Sequence, residues 1–175
     1  DTAMYRAKAG GRNATRVFLP SMQEAAVRRL TIEKELRRAI SGNEMVVYYQ
    51  PQVDLDGQVV GLEGLVRWQH PERGLVLPGE FIGVAEETGL IFELHDWLLG
   101  QVCRDIVTLL KATGAAACPT VSMNVSAREF RRSGFVQRLG AALAANDIPP
   151  ALLRLEITES LAMEKVDQVI AQMHS

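Results

Sequence analysis

The chain has 175 residues, of which 47 % are hydrophobic and 23 % charged, and its 19 basic and 21 acidic side chains give a formal net charge of −2. This balance is typical of a folded globular domain, and it excludes both a strongly basic binder of nucleic acid polymers and an acidic disordered tail. The two cysteines, Cys103 and Cys118, are too few for a disulfide framework, which favours a reducing, cytoplasmic setting.

Helices are predicted at the beginning of the chain. Residues 1–19 contain a short helical run that stops at a double glycine, and we expect it to be the last helix of a preceding unit. A linker helix is predicted over residues 20–44, because apolar residues recur at helical spacing at Leu30, Leu36 and Ile40. No stretch holds the roughly 20 apolar residues of a membrane segment, although attachment through a region before this chain stays open.

From Met45 onwards the pattern changes to strands. Met45–Gln50 is rich in β-branched and aromatic residues and is predicted to end at Pro51. Asp56-Gly57 predicts a tight turn, and Val59–Trp68 a second strand. The two strands are therefore predicted to form an antiparallel hairpin.

Helices and strands then alternate. We predict one long helix, a strand, a helix, a strand and a last helix, over residues 81–112, 120–125, 133–145, 153–157 and from about Glu164. This alternation is typical of parallel βα units and predicts an α/β fold.

Three successive strands each carry an oxygen-bearing side chain near the predicted carboxyl end. They are Glu63, Asn124 and Glu156, and strand alternation puts Leu65 and Arg67 on the same face as Glu63. Mg²⁺ and Mn²⁺ prefer carboxylate and amide oxygens, and the carboxyl ends of parallel strands are where α/β enzymes place their chemistry. Since arginine binds phosphate by paired hydrogen bonds, the pattern predicts metal-assisted phosphoester chemistry.

Structural roles remain open for these residues when each is taken singly. A strand glutamate is often a surface residue, an asparagine before serine is often a turn former, and an arginine and a glutamate on one face can pair structurally. The histidines, His70, His95 and His174, show no metal-ligand spacing. We interpret all three as structural or solvent-exposed, with His70 in a loop.

Six motifs in order link the chain to a known family. They are Tyr49–Pro51, Glu63–Trp68, Pro78–Ile82, Ala85–Ile91, Ser122–Ser126 and Leu155–Ser160. With them the chain resembles the EAL domain family, the bacterial phosphodiesterases of cyclic di-GMP. Residues 1–19 resemble the closing helix of a GGDEF (diguanylate cyclase) domain, so the parent protein resembles a GGDEF–EAL tandem, with residues 45–175 as the N-terminal half of its EAL domain.

The resemblance implies a fold and a set of site residues. The fold is the N-terminal half of a TIM-like (β/α)₈ barrel with an antiparallel first strand, preceded by the linker helix. By family motif, Glu63, Asn124 and Glu156 match metal ligands, and Glu63 is also catalytic. Gln50, Leu65 and Arg67 match positions that contact the dinucleotide. Glu159 matches a residue that supports a loop beside the metals. Gly64 stands where the family usually has alanine, on the helix-facing side, and we expect it to cost packing rather than chemistry.

The reaction that the resemblance implies is hydrolysis of one phosphodiester of cyclic di-GMP by a metal-activated water, giving linear pGpG, with Mg²⁺ or Mn²⁺ as cofactor. The family's Asp-Asp-Phe-Gly motif and catalytic lysine do not occur up to Ser175, so we expect residues 1–175 alone to be inactive. The alternative is a non-catalytic EAL-type receptor of cyclic di-GMP or a protein-interaction module. A half-sheet with unpaired edges and an uncovered apolar inner face would also favour a homodimer.

Overall fold

The structure is a computed structural model that describes residues 20–157. Its elements in chain order are α1 (Pro20–Ser41), β1 (Met45–Val53), β2 (Val59–His70), β3 (Gly74–Val76), α2 (Pro78–Thr88), α3 (Ile91–Thr113), β4 (Thr120–Val125), α4 (Ala127–Phe130), α5 (Phe135–Ala145), a 3₁₀ turn (Pro150–Leu152) and β5 (Leu153–Ile157). Residues 1–19, Glu159 and the helix predicted from Glu164 lie outside the described residues. Within the described part, no helix is both long and apolar enough to cross a bilayer.

The strands form one mixed sheet in the order β1-β2-β4-β5, with β3 paired to β2. β1 and β3 run antiparallel to β2, whereas β2 and β4, and β4 and β5, are parallel. The predicted hairpin followed by parallel βα units is therefore confirmed, and with it the α/β fold class.

β1 extends past its predicted end at Pro51. Pro51 lies opposite Leu62 in the hairpin, and the strand continues to Val53, where the register shifts. In the described sheet β1 is an edge strand. Alternate residues of an edge strand need no ladder hydrogen bond from their backbone nitrogen, so proline is tolerated there.

The long helix predicted over residues 81–112 is two helices, α2 and α3. Gly89 ends α2 in the left-handed conformation, with φ +84°, which glycine adopts without steric cost. Sequence periodicity hid this break, because Leu90, Ile91 and Leu94 are all fully buried and continue the apolar pattern across it.

Smaller elements also differ from the prediction. β2 runs to His70 instead of Trp68, and β3, which was not predicted, pairs with this extension. His70 is therefore a buried strand residue and not a loop residue. Its Nδ1 accepts hydrogen bonds from the backbone N–H groups of Glu72 and Arg73, at 3.1 and 3.2 Å, which fits the predicted structural role. The helix predicted from Ser133 begins at Phe135, after the single turn α4.

One face of the sheet is covered by helices. Around the buried Trp68, α1 contributes Ile32, Leu36 and Ala39 to a shared core with α2 and the beginning of α3. Leu30, predicted on the apolar face of α1, is instead 65 % exposed. The buried face of the helix consists of Ile32, Leu36 and Ala39. A second core cluster lies between α3, α5 and β4.

Candidate active site

The face of the sheet turned away from the helices, here called the open face, carries the predicted site residues that the structure describes. In the hairpin Gln50 lies opposite Glu63 and Tyr48 opposite Leu65. In the parallel part of the sheet Glu63 lies beside Ser122. Neighbouring strands are about 4.8 Å apart, so the open face presents a continuous row of polar side chains.

Glu63, Asn124 and Glu156 are brought together on three adjacent strands. Asn124 is aligned with Glu156, and its side-chain Nδ2 donates a hydrogen bond of 3.0 Å to Glu63 Oε1. Glu63 and Glu156 are half-buried and Asn124 is exposed. Their shared face follows from strand alternation, as the sequence predicts.

The position of Glu63 along its strand differs from the prediction. Asn124 and Glu156 are each the last residue but one of their strands, but β2 continues for seven residues beyond Glu63. β2 pairs with β4 only from Gly61 to Gly64, and its remainder extends past the sheet's parallel part. Glu63 lies in the first half of β2, but the pairing of β2 with β4 sets it beside Ser122, near the carboxyl end of β4.

Arg67 lies apart from the carboxylates in this structure. It is on the same face as Glu63 but four residues further on, about 13 Å along an extended strand, and its Nη1 donates to the Val66 carbonyl at 2.9 Å. Gln50 is exposed and Leu65 half-buried. Tyr48, which the sequence reasoning missed, is 47 % exposed on this face beside Leu65. The alternation from Gln50 was the signal that could have found it.

The helix-facing side anchors the hairpin that carries this row. The Tyr49 hydroxyl donates a hydrogen bond of 2.6 Å to Asp105 Oδ2 in α3. Burial, and then the neighbouring Asp105 carboxylate, raises the pKa of Tyr49 above its ordinary value. Tyr49 therefore stays a protonated donor that fixes β1 to α3.

Gly64 lies where two strands approach closely. A Cβ placed there would be 3.2 Å from the Ser122 carbonyl oxygen and 3.4 Å from side-chain atoms of Tyr49 and Val47. An alanine side chain would therefore touch both neighbouring strands, and the expected packing cost of glycine stays a prediction.

The open face is mixed, and not uniformly apolar as expected, since polar side chains lie on it beside Tyr48 and Leu65. Besides the three candidate ligands it carries Gln50, Ser122 and the exposed Arg154. Within residues 20–157 no group of three or more histidine, cysteine, aspartate or glutamate side chains is placed to hold a metal ion. The candidate set consists of two carboxylates and one amide, and this all-oxygen donor set fits a hard divalent cation.

The EAL domain family model matches residues 33–175. The chain belongs to the EAL domain family. The match begins within α1, so the predicted division of the chain at residues 19 and 44 stays a prediction.

Two curated relatives are similar to this EAL chain over nearly its whole length. The bifunctional diguanylate cyclase/cyclic di-GMP phosphodiesterase MucR of Pseudomonas aeruginosa is 39 % identical over 168 residues, which are 95 % of this chain and 24 % of MucR. The cyclic di-GMP phosphodiesterase PdeR of Escherichia coli K12 is 38 % identical over 164 residues, 94 % of this chain and 24 % of PdeR. The chain thus spans about a quarter of the length of these multidomain relatives.

Solved EAL structures share the fold. The MucR phosphodiesterase in complex with c-di-GMP superposes with a TM-score of 0.75 at 36 % identity, over 82 % of this chain and 58 % of that one. The EAL enzyme Bd1971, bound to cAMP and cyclic di-GMP, gives a TM-score of 0.77 at 26 % identity, over 98 % of this chain and 45 % of that one. EAL structures have a TIM-barrel fold, of which this chain covers a part.

Proposed function

We propose that the protein containing this EAL chain hydrolyses one phosphodiester bond of cyclic di-GMP and releases linear pGpG in the cytoplasm. The observation that carries the proposal is the contact between Asn124 and Glu63, 3.0 Å, beside Glu156 on the next strand. Support also comes from MucR and PdeR, which are named as cyclic di-GMP phosphodiesterases.

EAL phosphodiesterases are generally metal-dependent, and the donor set on the open face suits Mg²⁺ or Mn²⁺. Glu63, Asn124 and Glu156 would hold this cation. When bound, it supplies an acidified water and offsets the negative charge that develops at phosphorus.

The side chains of the open face orient the reactants. The Asn124 amide fixes one carboxylate oxygen of Glu63 by its hydrogen bond. Arg67 exchanges the Val66 carbonyl, its present partner, for a phosphate oxygen of the dinucleotide, which offers a stronger, charge-assisted bond. Gln50 and Leu65 contact the substrate along the same row, and Glu159, outside the described residues, supports a loop beside the metals.

The full-length protein tests this function. With Mg²⁺ or Mn²⁺ it should convert cyclic di-GMP to pGpG, as followed by chromatography. Glu63→Gln should lower kcat more than about 100-fold, because mutating even a residue that only hydrogen-bonds to a metal ligand typically costs about 10–100-fold in activity. Glu80→Gln, on the exposed surface of α2, is the matched control and should retain full activity.

Two further outcomes are informative. Tight binding of cyclic di-GMP without any pGpG, with either cation, would contradict the enzyme and identify a non-catalytic receptor.

Purified residues 1–175 alone should give no pGpG, and sedimentation of that piece tests whether it forms a homodimer. Turnover by the 175-residue piece would show that the residues described above suffice for catalysis.

A further inference from the structure

Glu129 has an unusual environment for a carboxylate. Among the described residues it is the only aspartate, glutamate, lysine or arginine that is buried, with 2 % of its surface exposed. Burial of a carboxylate is costly unless it is paired and hydrogen-bonded. The single turn α4 that carries Glu129 begins three residues after Asn124.

Two arginines from the following segment surround this carboxylate. Arg138 in α5 donates from Nη2 to Glu129 Oε1 at 3.0 Å and from Nη1 to the Ser133 carbonyl at 2.9 Å. Arg132 Nη1 is 3.7 Å from Glu129 Oε2 and 3.4 Å from Asp96 Oδ2 in α3. Glu129 therefore joins α4 to α5 and, through Arg132, to α3.

The backbone of Glu129 is fixed from the strand side as well. Its N–H donates to the Ser126 hydroxyl at 3.1 Å, which caps α4 directly after β4. An N-terminal cap of this kind fixes the entry of the chain into the helix. The carboxylate and the backbone of one residue thus determine the path by which the chain leaves β4.

This path is packed beneath the candidate ligands. Phe130, next to Glu129, forms a buried cluster with Val125, and Leu155 and Ile157 of β5 pack against it. Val125 follows Asn124 in sequence, while Leu155 and Ile157 flank Glu156. The segment that Glu129 holds is therefore the support of the backbone from which Asn124 and Glu156 project.

We propose that Glu129 is a positioning residue for the cation site, acting on Asn124 and Glu156 through the α4 turn. Without its contact to Arg138, the turn after β4 loses its fixed path, and the packing behind the two ligands loosens. This inference rests on the proposed function for the identity of the cation, but not for the order of the segment.

The test uses the full-length protein with the variant Glu129→Gln, which keeps the shape and removes the charge. Titration calorimetry with Mn²⁺ measures cation affinity, and hydrogen–deuterium exchange of peptides covering residues 122–134 measures the order of the segment. We expect Glu129→Gln to weaken Mn²⁺ binding about 10-fold or more and to accelerate exchange, and Glu129→Asp to recover part of both.

The matched control is Glu35→Gln, which removes another carboxylate in contact with a buried side chain, 3.3 Å from His70 Nε2 and away from β4. It should leave Mn²⁺ affinity within about twofold of wild type and exchange at residues 122–134 unchanged, whatever it does to the melting temperature. A purely structural role for Glu129 would lower the melting temperature and leave Mn²⁺ affinity unchanged.

Affinity within twofold and unchanged exchange in Glu129→Gln would overturn the inference. If the wild type binds no Mn²⁺, the cation assignment of the proposed function fails. Hydrogen–deuterium exchange at residues 122–134 still tests the turn: faster exchange in Glu129→Gln shows that Glu129 holds it, and unchanged exchange shows that it does not. Should Glu129→Gln not fold, Arg138→Gln removes the partner of the same contact and is read in the same way.

Discussion

Two packed regions of the chain handle charge in different ways. Around Trp68, α1 and α2 meet through apolar side chains, and their ion pairs, such as Arg29–Glu87, lie on the exposed surface. Beyond β4, Glu129 is buried between two arginines. The contact of α1 with the sheet is mainly apolar, with the Glu35–His70 contact beside it. The buried carboxylate of Glu129 lies instead where the chain leaves a strand that carries a candidate ligand.

The largest effect that sharpens this comparison is expected in the Trp68 region. Leu36→Ala removes a fully buried side chain and should lower the free energy of unfolding by about 2–5 kcal/mol. Leu30→Ala, on the same helix but 65 % exposed, should change it by less than about 0.5 kcal/mol. Denaturant unfolding of both variants measures the difference, and equal losses would contradict the docking of α1 through Leu36.

A pH-dependent effect is expected in the region after β4. Burial lowers the pKa of His95 to about 4, against the opposing influence of Asp96, and His95 lines one small cavity with Asp96, Glu129 and Arg138. The unfolded chain binds this proton near pH 6.5 and the folded chain only near pH 4, so stability is full above pH 6.5 and falls as the pH drops between these values.

The variant His95→Gln cannot titrate in this window. Between pH 6.5 and pH 4 its free energy of unfolding should fall less than that of wild type. The difference between the two falls should be at most about 3 kcal/mol. Carboxylates titrate in both proteins and cancel in the difference. If the wild type and the variant instead give parallel profiles of unfolding free energy against pH, the pKa of His95 is not lowered in the folded state, which would contradict this prediction.

The smallest effect is expected from the surface pairs of α1. Arg29 Nη1 is 2.9 Å from Glu87 Oε2, with side chains 41 % and 56 % exposed. A double-mutant cycle of Arg29→Ala and Glu87→Ala should give a coupling energy below about 1 kcal/mol that decreases with salt. A larger, salt-independent coupling would place these charges in the same class as the buried Glu129.

Strand alternation predicted which side chains share the open face, and the structure places Glu63, Asn124 and Glu156 there. Alternation has a period of two and depends only on the strand itself. It does not fix how far each ligand lies from its strand's end, because register depends on the neighbouring strands. The strand predicted over Val59–Trp68 already runs five residues past Glu63, and β2 runs seven residues past it, to His70.

Two other features were not predicted: the helix break at Gly89, a local signal hidden by the apolar periodicity, and the burial of Glu129, which depends on a tertiary contact. Gly89 interrupts an apolar pattern that continues on both sides, so one helix was expected where there are two. The burial of Glu129 requires Arg138, nine residues away in another helix. Local propensity at Glu129 indicates only a good residue for the first turn of a helix, which is correct but gives no information about the buried pair.

We propose that Glu63, Asn124 and Glu156 form a divalent-cation site of a cyclic di-GMP phosphodiesterase. Anomalous diffraction from crystals of the full-length protein grown with Mn²⁺ and cyclic di-GMP tests it most directly. We predict a manganese peak within about 2.5 Å of oxygen atoms of all three side chains, with a phosphate of the dinucleotide beside it. A peak at other side chains, or bound dinucleotide with no manganese at these three residues, would contradict the account.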